Sequence, residues 1–297
     1  MKAGFLQYNP IRLDVARNLR TVEQMITGES ADLIVLPELF ATGYCFESAA
    51  EAKGVSESLE DRDAPTLTAL RAWAARLDAT IVAGYAELVS GELYNSAVVV
   101  DRRGIVGNYR KVHLYYKEKT IFFPGSGFGV FDLADRSGAT YRLGVMICFD
   151  WYYPEASRSL ALLGADIIAH PSNLVRKDCP RSMPIRALEN HVYTITASRT
   201  GTESAGGESV TFIGKSQACN PDGEVIASAD AGEACFRVFE IDPLSARDRQ
   251  ITPLNDLLLD RQSDAYYPIA LQDPQATART PSQRSTKSSR QSKRGST

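Results

Sequence analysis

The chain has 297 residues, of which 44% are hydrophobic and 23% are charged, and its formal net charge is −3. This composition provides enough apolar material for a sizeable core, and it excludes a collagen-like chain, a wholly disordered chain and a small disulfide scaffold. The near-neutral charge gives no overall argument for nucleic-acid binding.

The apolar runs and the cysteines indicate the cellular context. A membrane-spanning helix needs about 20 apolar residues, whereas the best runs here, 33–36 and 97–100, have the length of strands. The apolar stretch at the N-terminus is too short for a signal peptide. The five cysteines form an odd set without a CxxC pair, which predicts neither a disulfide framework nor a zinc site. We therefore expect a cytoplasmic protein that has no metal, no cofactor and no membrane partner.

Strand-like and helix-like segments alternate along most of the chain. Leu13, Ala16, Leu19, Val22 and Ile26 recur at helical spacing and predict an amphipathic helix after a first strand at 2–7. Further strands are predicted at 32–36, 80–85, 95–100, 105–109, 141–147, 165–170 and 192–198. Further helices are predicted near 67–77, 154–163 and 182–191. Segments 213–218, 224–227 and 235–241 predict a closing antiparallel meander around the turn at 220–223.

This mixture of strands and helices indicates an α/β fold in layers, because each element must bury its apolar face against another. We expect one domain over residues 1–268, with sheet packed on sheet and helices outside. From residue 271 onward there is no aromatic or β-branched aliphatic residue, and six basic residues stand against one acid, Asp273. Such a segment cannot bury enough apolar area to offset the entropy of ordering. Residues 269–297 are therefore expected to form a disordered basic tail, solvated and not bound to nucleic acid.

The segment around Cys148 is the most informative for chemistry. In GVMICFDWYYPE (144–155) an apolar strand ends at Cys148, and Pro154 opens a helix where its missing N–H is harmless. A nucleophile on such a strand-to-helix turn is exposed at the edge of a sheet, with backbone N–H groups beside it. Cys148 is therefore a candidate nucleophile, and the alternative is a buried core cysteine.

A cysteine nucleophile needs a base, and the chain has only three histidines: His113, His170 and His191. His170 falls at a strand end and His191 on a predicted helix, so both have a structural interpretation. Glu38 follows an apolar strand in LIVLPELF (33–40), where burial would raise the pKa of its carboxyl and suit it to acid–base work. Glu38 is therefore a candidate base besides the histidines.

Lys111 follows a strand in NYRKVHLYYKEK (108–119) and precedes an aromatic run. Glu38 in PELF, Lys111 in YRKVHL and Cys148 in MICFDWYYPE resemble the three signatures of the nitrilase (carbon–nitrogen hydrolase) superfamily. They occur in the same order and in the same sequence context. The chain resembles this family over about residues 2–268, most closely the small archaeal and bacterial aliphatic amidase/nitrilase branch. The same resemblance extends to the stretches YNSA (94–97), 168–173, 183–190 and FIGKS (212–216).

The resemblance implies a four-layer αββα sandwich and a Glu-Lys-Cys triad. By analogy, Glu38 takes the proton from Cys148, and the thiolate attacks the carbonyl or nitrile carbon. Lys111 and the backbone N–H of Phe149 would stabilise the resulting negative charge, and water would hydrolyse the thioester after ammonia leaves. Glu118 matches a second glutamate of the family and is carried over as a supporting residue. A lysine beside a thiol lowers its pKa, in agreement with these roles.

The residues after the nucleophile favour an amidase. Phe149-Asp150 departs from the Trp-Glu that follows the cysteine in typical nitrilases and looks more like the amidase and carbamoylase branches. The expected activity is hydrolysis of a small carboxamide, with a nitrilase or an N-carbamoyl amide hydrolase as the alternative. A catalytically silent scaffold of the same fold is the non-enzyme alternative.

Four residues beside the motifs are candidate walls of a substrate pocket: Tyr44, Tyr116, Trp151 and Asn173. Their alternative role is core or loop packing. The expected partners are a small amide or nitrile substrate and a second copy of the chain, because related proteins pair into a homodimer or a higher even oligomer. Apolar positions in 154–163 and 251–267 offer independent support for pairing, namely Leu160, Leu163, Leu254, Leu257, Leu258 and Tyr266.

Overall fold

Two six-stranded sheets form the centre of the fold in the computed structural model, which describes residues 1–266 and 269. The first sheet contains, in spatial order, β14 (Cys235–Glu240), β1 (Lys2–Gln7), β2 (Leu33–Val35), β3 (Thr80–Val89), β4 (Glu92–Asp101) and β5 (Gly104–Arg110). The second contains β13 (Val225–Ser228), β12 (Gln217–Cys219), β9 (Tyr193–Ser198), β8 (Ile167–Ser172), β7 (Thr140–Val145) and β6 (Val130–Ala134). A separate hairpin pairs β10 (Thr202–Ala205) with β11 (Glu208–Thr211).

Five α-helices accompany the sheets: α1 (Val15–Ile26), α2 (Ala49–Gly54), α3 (Pro65–Leu77), α4 (Pro154–Leu162) and α5 (Cys179–Asn190). Asp14 caps α1 by accepting a hydrogen bond from the N–H of Arg17, and Pro65 opens α3. Buried residues of α1 and α3 pack with the first sheet in one apolar cluster. The helices α4 and α5 contact strands of the second sheet.

The two sheets pack face to face, with β1 against β9 and β3 against β8. Every residue of β8 and β9 is buried, as expected for strands covered on both faces. The fold is therefore a four-layer αββα sandwich, which confirms the expected fold class.

Three candidate site residues follow the carboxyl ends of parallel strands in the two sheets. In the first sheet β1, β2 and β3 run parallel, and in the second sheet β7, β8 and β9 do. The carboxyl ends of neighbouring parallel strands meet at the same edge of a sheet. Glu38 follows β2, Cys148 follows β7 and Asn173 follows β8.

The expectation of a closing meander is wrong for its last strand. The strands β12 and β13 do pair antiparallel, but β14 leaves the second sheet and pairs antiparallel with β1. Local sequence carries no signal for a pairing between Lys2 and Glu240, because their approach depends on the packing of the whole chain. The helix α2, the strand β6 and the hairpin β10–β11 are additional elements that the sequence did not predict.

The chain divides into a compact unit, Met1–Arg249, and a second unit that begins at Gln250. In the second unit β15 (Gln250–Thr252) pairs with β16 (Asn255–Asp256), and a 3₁₀ helix follows at Ser263–Tyr266. The predicted boundary at residue 268 and the predicted tail 269–297 lie, apart from residue 269, outside the described residues. Leu160, expected on an outer surface, is wholly buried on the inner side of α4, whereas Leu163 is 45% exposed.

No helix in the described part of the chain has both the length and the apolar character that a membrane span requires.

Candidate active site

Cys148 lies on a sharp turn between the second sheet and α4. It begins a 3₁₀ helix, Cys148–Tyr152, that connects β7 to Pro154, and its φ of +40° is in the left-handed region. Such backbone is uncommon outside glycine and is a feature of functional turns. The thiol is buried, and its Sγ lies 3.8 Å from the main-chain carbonyl oxygen of Asn173.

Glu38 is wholly buried in the loop that follows β2. Its Oε1 accepts hydrogen bonds from Lys111 Nζ at 2.6 Å and from Asn95 Nδ2 at 2.7 Å. Its Oε2 has no hydrogen-bond partner among the described residues. At position 84 only glycine fits, since a Cβ there would lie 2.5 Å from the Cα of Glu38.

Lys111 joins two carboxylates. It follows β5, its side chain is wholly buried, and its Nζ donates to Glu38 Oε1 at 2.6 Å and to Glu118 Oε1 at 2.7 Å. Glu118 Oε1 also accepts a hydrogen bond from the hydroxyl of Tyr44 at 2.6 Å. Hydrogen bonds thus join three of the residues that the sequence motifs singled out, Glu38, Lys111 and Glu118, and Cys148 lies near enough for their charges to act on its thiol.

Burial and mutual charge set the protonation of this cluster. Burial raises the pKa of the Cys148 thiol, the negative charge of Glu38 raises it further, and Lys111 lowers it. Burial acts to lower the pKa of Lys111, but Glu118 and Glu38 together raise it, so the ammonium stays charged. Burial also raises the pKa of Glu118, against the lowering effect of Lys111. The site can therefore hold a fixed cation beside a protonated thiol and a carboxylate.

Two residues outside the proposed triad, Asp150 and His170, hold the turn of Cys148 in place. Asp150 is wholly buried and accepts hydrogen bonds from the N–H of Ile147 at 2.9 Å and of His113 at 3.0 Å. His170 Nε2 lies 2.9 Å from the carbonyl oxygen of Cys148 and must donate, because a carbonyl only accepts. Burial lowers the pKa of His170 to about 4, so the ring is neutral at pH 7.

His170 thus contacts the main chain of the cysteine, which gives it the structural role that its strand-end position had suggested. Asn95 was part of the YNSA stretch but was not singled out as a site residue. An asparagine that interrupts the apolar strand LYNSAVVV was the available signal.

A buried ion pair fixes the loop of Tyr44. Glu203, on the hairpin strand β10, accepts hydrogen bonds through Oε2 from the main-chain N–H groups of Tyr44 and Cys45, each at 2.8 Å. Arg199 Nη1 lies 3.0 Å from the same oxygen, and both side chains are buried. The Tyr44 hydroxyl is thereby held against Glu118.

A cavity of about 490 Å³ adjoins the cluster and is lined by Glu118 and by Tyr44, whose hydroxyl bonds Glu118. Glu38, Lys111 and Cys148 are not among its lining residues. Tyr116 also lines it and is 66% exposed. Trp151 and Asn173 are buried and are not among its lining residues. The amide of Asn173 instead donates to the main-chain carbonyl of Glu38 at 2.9 Å.

The half-buried Phe149, whose N–H was the expected oxyanion donor, follows Cys148 directly on the turn, and its ring packs against Tyr115 with centroids 5.0 Å apart. Within the described residues, no group of three or more His, Cys, Asp or Glu side chains is arranged to hold a metal ion.

Comparison with known proteins adds independent information. The family model described as carbon-nitrogen hydrolase matches residues 2–249. A protein named nitrilase from Pyrococcus abyssi is 46% identical over 90% of this chain and 99% of its own length. An (R)-stereoselective amidase from Pseudomonas is 34% identical over 82% of this chain and 86% of its own length. The crystal structure of a carbon-nitrogen hydrolase from Helicobacter pylori superposes with a TM-score of 0.77 at 26% identity, covering 92% of this chain and 99% of that one.

Proposed function

The chain belongs to the carbon-nitrogen hydrolase family of the nitrilase superfamily, and on that premise we propose that it is a cysteine-dependent amidase. The substrate is a small carboxamide, and the products are a carboxylic acid and ammonia. Glu38, Lys111 and Cys148 act as the triad and Glu118 as a supporting residue. The observation that carries the proposal is the buried cluster in which Lys111 bonds Glu38 and Glu118 beside the thiol.

Glu38 is the proton acceptor in this proposal. Its Oε1 is occupied by Lys111 and Asn95, whereas its buried Oε2 has no partner among the described residues and is available to a proton. Transfer of the thiol proton to Glu38 forms the thiolate only as the reaction begins, which suits a cysteine whose pKa is raised. The thiolate then attacks the carbonyl carbon of the amide.

Lys111 and the N–H of Phe149 stabilise the oxyanion that forms. A preorganised cation in a site shielded from water is worth far more than one in solution. Glu38 returns its proton to the leaving nitrogen, and ammonia departs as the C–N bond breaks and a thioester remains on Cys148. Glu38 then takes a proton from water, and the hydroxide attacks the thioester. The C–S bond breaks, the acid leaves, and Glu38 returns the proton to the thiolate of Cys148.

A nitrilase is the second candidate, because the 46% identical relative carries that name. The same nucleophile would attack the nitrile carbon. Phe149-Asp150 favours the amidase on the family pattern, and an N-carbamoyl amide hydrolase remains a third member of the same reaction class. A silent scaffold would not require the buried Lys111–Glu38 pair to be kept beside a cysteine.

Ammonia release from matched pairs, such as butanamide and butyronitrile, tests the proposal, with Cys148→Ala as control. We expect turnover of the amide, a thioester adduct on the Cys148 peptide by mass spectrometry, and neither in the variant. Turnover of the nitrile alone would favour the nitrilase. Absence of ammonia from amides, nitriles and carbamoyl compounds, with iodoacetamide labelling of Cys148 unaffected by any of them, would favour the scaffold.

We further propose a homodimer, or an even multiple of it, in the cytoplasm. Leu162 and Leu163 at the end of α4 and Ile185 and Leu188 on α5 are each about half exposed, which suits an apolar interface. All five cysteines are free, as in a reducing compartment. Light scattering tests the homodimer, since a mass near 32.5 kDa would be that of a monomer and would contradict it.

A further inference from the structure

The cavity beside the cluster has an aromatic and aliphatic wall. Tyr44, Phe46, Tyr115, Tyr116 and Phe122 supply rings, and Val210 of the hairpin strand β11 lies among the aliphatic lining residues. A dry cavity of about 150 Å³ already accommodates benzene, so 490 Å³ gives ample room for an aryl or branched alkyl group. The other side of the lining is polar or charged and consists of Cys45, Lys117, Glu118, Glu208, Ser209 and Thr211.

Every charged side chain that lines this cavity is matched by an opposite charge. Three charged residues line it: Lys117, Glu118 and Glu208. Glu118 bonds Lys111 at 2.7 Å, and Lys117 Nζ lies 2.8 Å from Glu208 Oε2. Lys117 and Glu208 are each about half exposed. A charged substituent beside them would lose part of its hydration and would meet no uncompensated opposite charge.

We propose that the site takes amides whose substituent is neutral and apolar, up to aryl size, and that the Lys117–Glu208 pair disfavours charged substituents because each member neutralises the charge of the other. This inference rests on the proposed function for the reaction and goes beyond it in naming the substrate class. The pair connects the 3₁₀ helix that carries Glu118, Tyr116–Thr120, to the hairpin strand β11. Neither residue touches Cys148, so both are specificity-determining and not catalytic.

Single substitutions within the pair should weaken the discrimination against substituents of one charge. Glu208→Gln leaves Lys117 as an uncompensated cation at the cavity, and Lys117→Gln leaves Glu208 as an uncompensated anion. Discrimination between two substrates arises from repulsive or unmatched contacts with the wrong one as well as from attractive contacts with the right one.

The experiment measures kcat/KM for ammonia release from 3-phenylpropanamide, butanamide, 4-aminobutanamide and succinamate. In the unsubstituted enzyme both neutral amides should exceed both charged ones by about tenfold or more. Glu208→Gln should raise the ratio of succinamate to butanamide by about fivefold, the scale of one partly exposed ion pair. Lys117→Gln should do the same for 4-aminobutanamide. The double variant should restore the neutral preference.

Lys119→Gln is the matched control, because Lys119 belongs to the same 3₁₀ helix but does not line this cavity. Its charge ratios should equal those of the unsubstituted enzyme. Equal kcat/KM for neutral and charged amides, or single variants that leave the ratios unchanged, would overturn the inference while ammonia release still upheld the proposed function.

Calorimetric titration of the same four amides into Cys148→Ala separates the two claims, because it reads the preference of the cavity without turnover. Tighter binding of the neutral amides supports the inference, and equal or absent binding of all four overturns it. Neutral preference in binding without any ammonia release from the unsubstituted enzyme would overturn the proposed function alone.

Discussion

The side-chain amide of Asn173 donates a hydrogen bond to the main-chain carbonyl of Glu38 at 2.9 Å. The bond crosses from the end of β8 in one sheet to the loop after β2 in the other. The main-chain carbonyl oxygen of the same asparagine lies 3.8 Å from Cys148 Sγ. One residue therefore contacts the segment of the proposed base and the proposed nucleophile.

Asn173→Ala should lower kcat by about tenfold or more, because Glu38 loses the bond that sets its distance from Cys148. A buried carbonyl left unpaired also lowers the free energy of unfolding by about 1–3 kcal/mol. Urea unfolding and ammonia release measure the two effects. Asn108→Ala is the control, since it removes an amide bond of 3.0 Å to Glu87, outside the cysteine cluster. An equal loss of kcat in both variants would contradict the special role of Asn173.

Glu38→Gln, Lys111→Ala and Cys148→Ala should each abolish nearly all turnover, and double variants should be little worse than single ones. Residues that stabilise the same transition state act as a unit, so the loss of one removes most of the activity that all of them provide. Circular dichroism and gel filtration establish that each variant is folded. If Lys111→Ala retained more than about a tenth of the activity, a loss below about 1.4 kcal/mol of barrier, its assignment would be wrong.

The reactivity of the thiol should move in opposite directions in two of these variants. Burial and Glu38 raise the pKa of Cys148, and Lys111 lowers it. Removing the negative charge in Glu38→Gln should shift the pH profile of iodoacetamide alkylation to lower pH, whereas Lys111→Ala should shift it to higher pH. Mass spectrometry of the Cys148 peptide reads the rate, with the half-buried Cys235 as internal standard. Coincident profiles would show that neither charge acts on the thiol.

His170 should make stability depend on pH. Its folded pKa is lowered by burial to about 4 from 6.5, so the unfolded chain binds the extra proton between these values. The contribution of the neutral ring to the free energy of unfolding is complete above pH 6.5. It is lost as the pH falls from 6.5 to about 4, by up to about 3 kcal/mol. His170→Gln keeps the donor to Cys148 and should remove this dependence in urea unfolding from pH 7.5 to 4.5. His191→Gln is the control, and an identical slope in His170→Gln and the parent would refute the assignment.

Glu203→Ala should lower the free energy of unfolding by about 3–5 kcal/mol, because it leaves the buried Arg199 charge unpaired. It also frees the N–H groups of Tyr44 and Cys45. Glu23→Ala removes a partly exposed pair with Arg76 and should change stability by at most about 1 kcal/mol. Similar losses in both variants would mean that burial does not distinguish the two pairs.

Sequence patterns predicted the elements whose signal is local. Helical spacing from Leu13 to Ile26 and the apolar run that starts at Leu33 correspond to α1 and β2, and the three motif residues Glu38, Lys111 and Cys148 do converge. The ends of strands were less well predicted. β3 continues to Val89, four residues beyond the predicted strand, because pairing with β4 extends it.

The remaining features depend on long-range packing. The pairing of β14 with β1 has no counterpart in either local sequence. The role of Glu203 could not be foreseen either, since it follows from the approach of β10 to a loop near residue 44. The strand-end position of His170 suggested a structural role, but its partner, the carbonyl oxygen of Cys148 at 2.9 Å, becomes evident only in the folded chain.

The pairing of Lys2 with Glu240 has a consequence for synthesis on the ribosome. β1 is made before its neighbour β14, which follows only after some 230 further residues. Until then one edge of β1 has unpaired N–H and C=O groups, the kind of edge at which chains aggregate. A nascent chain that stalls before Glu240 would therefore expose this edge, even though Glu38, Lys111 and Cys148 had all been translated.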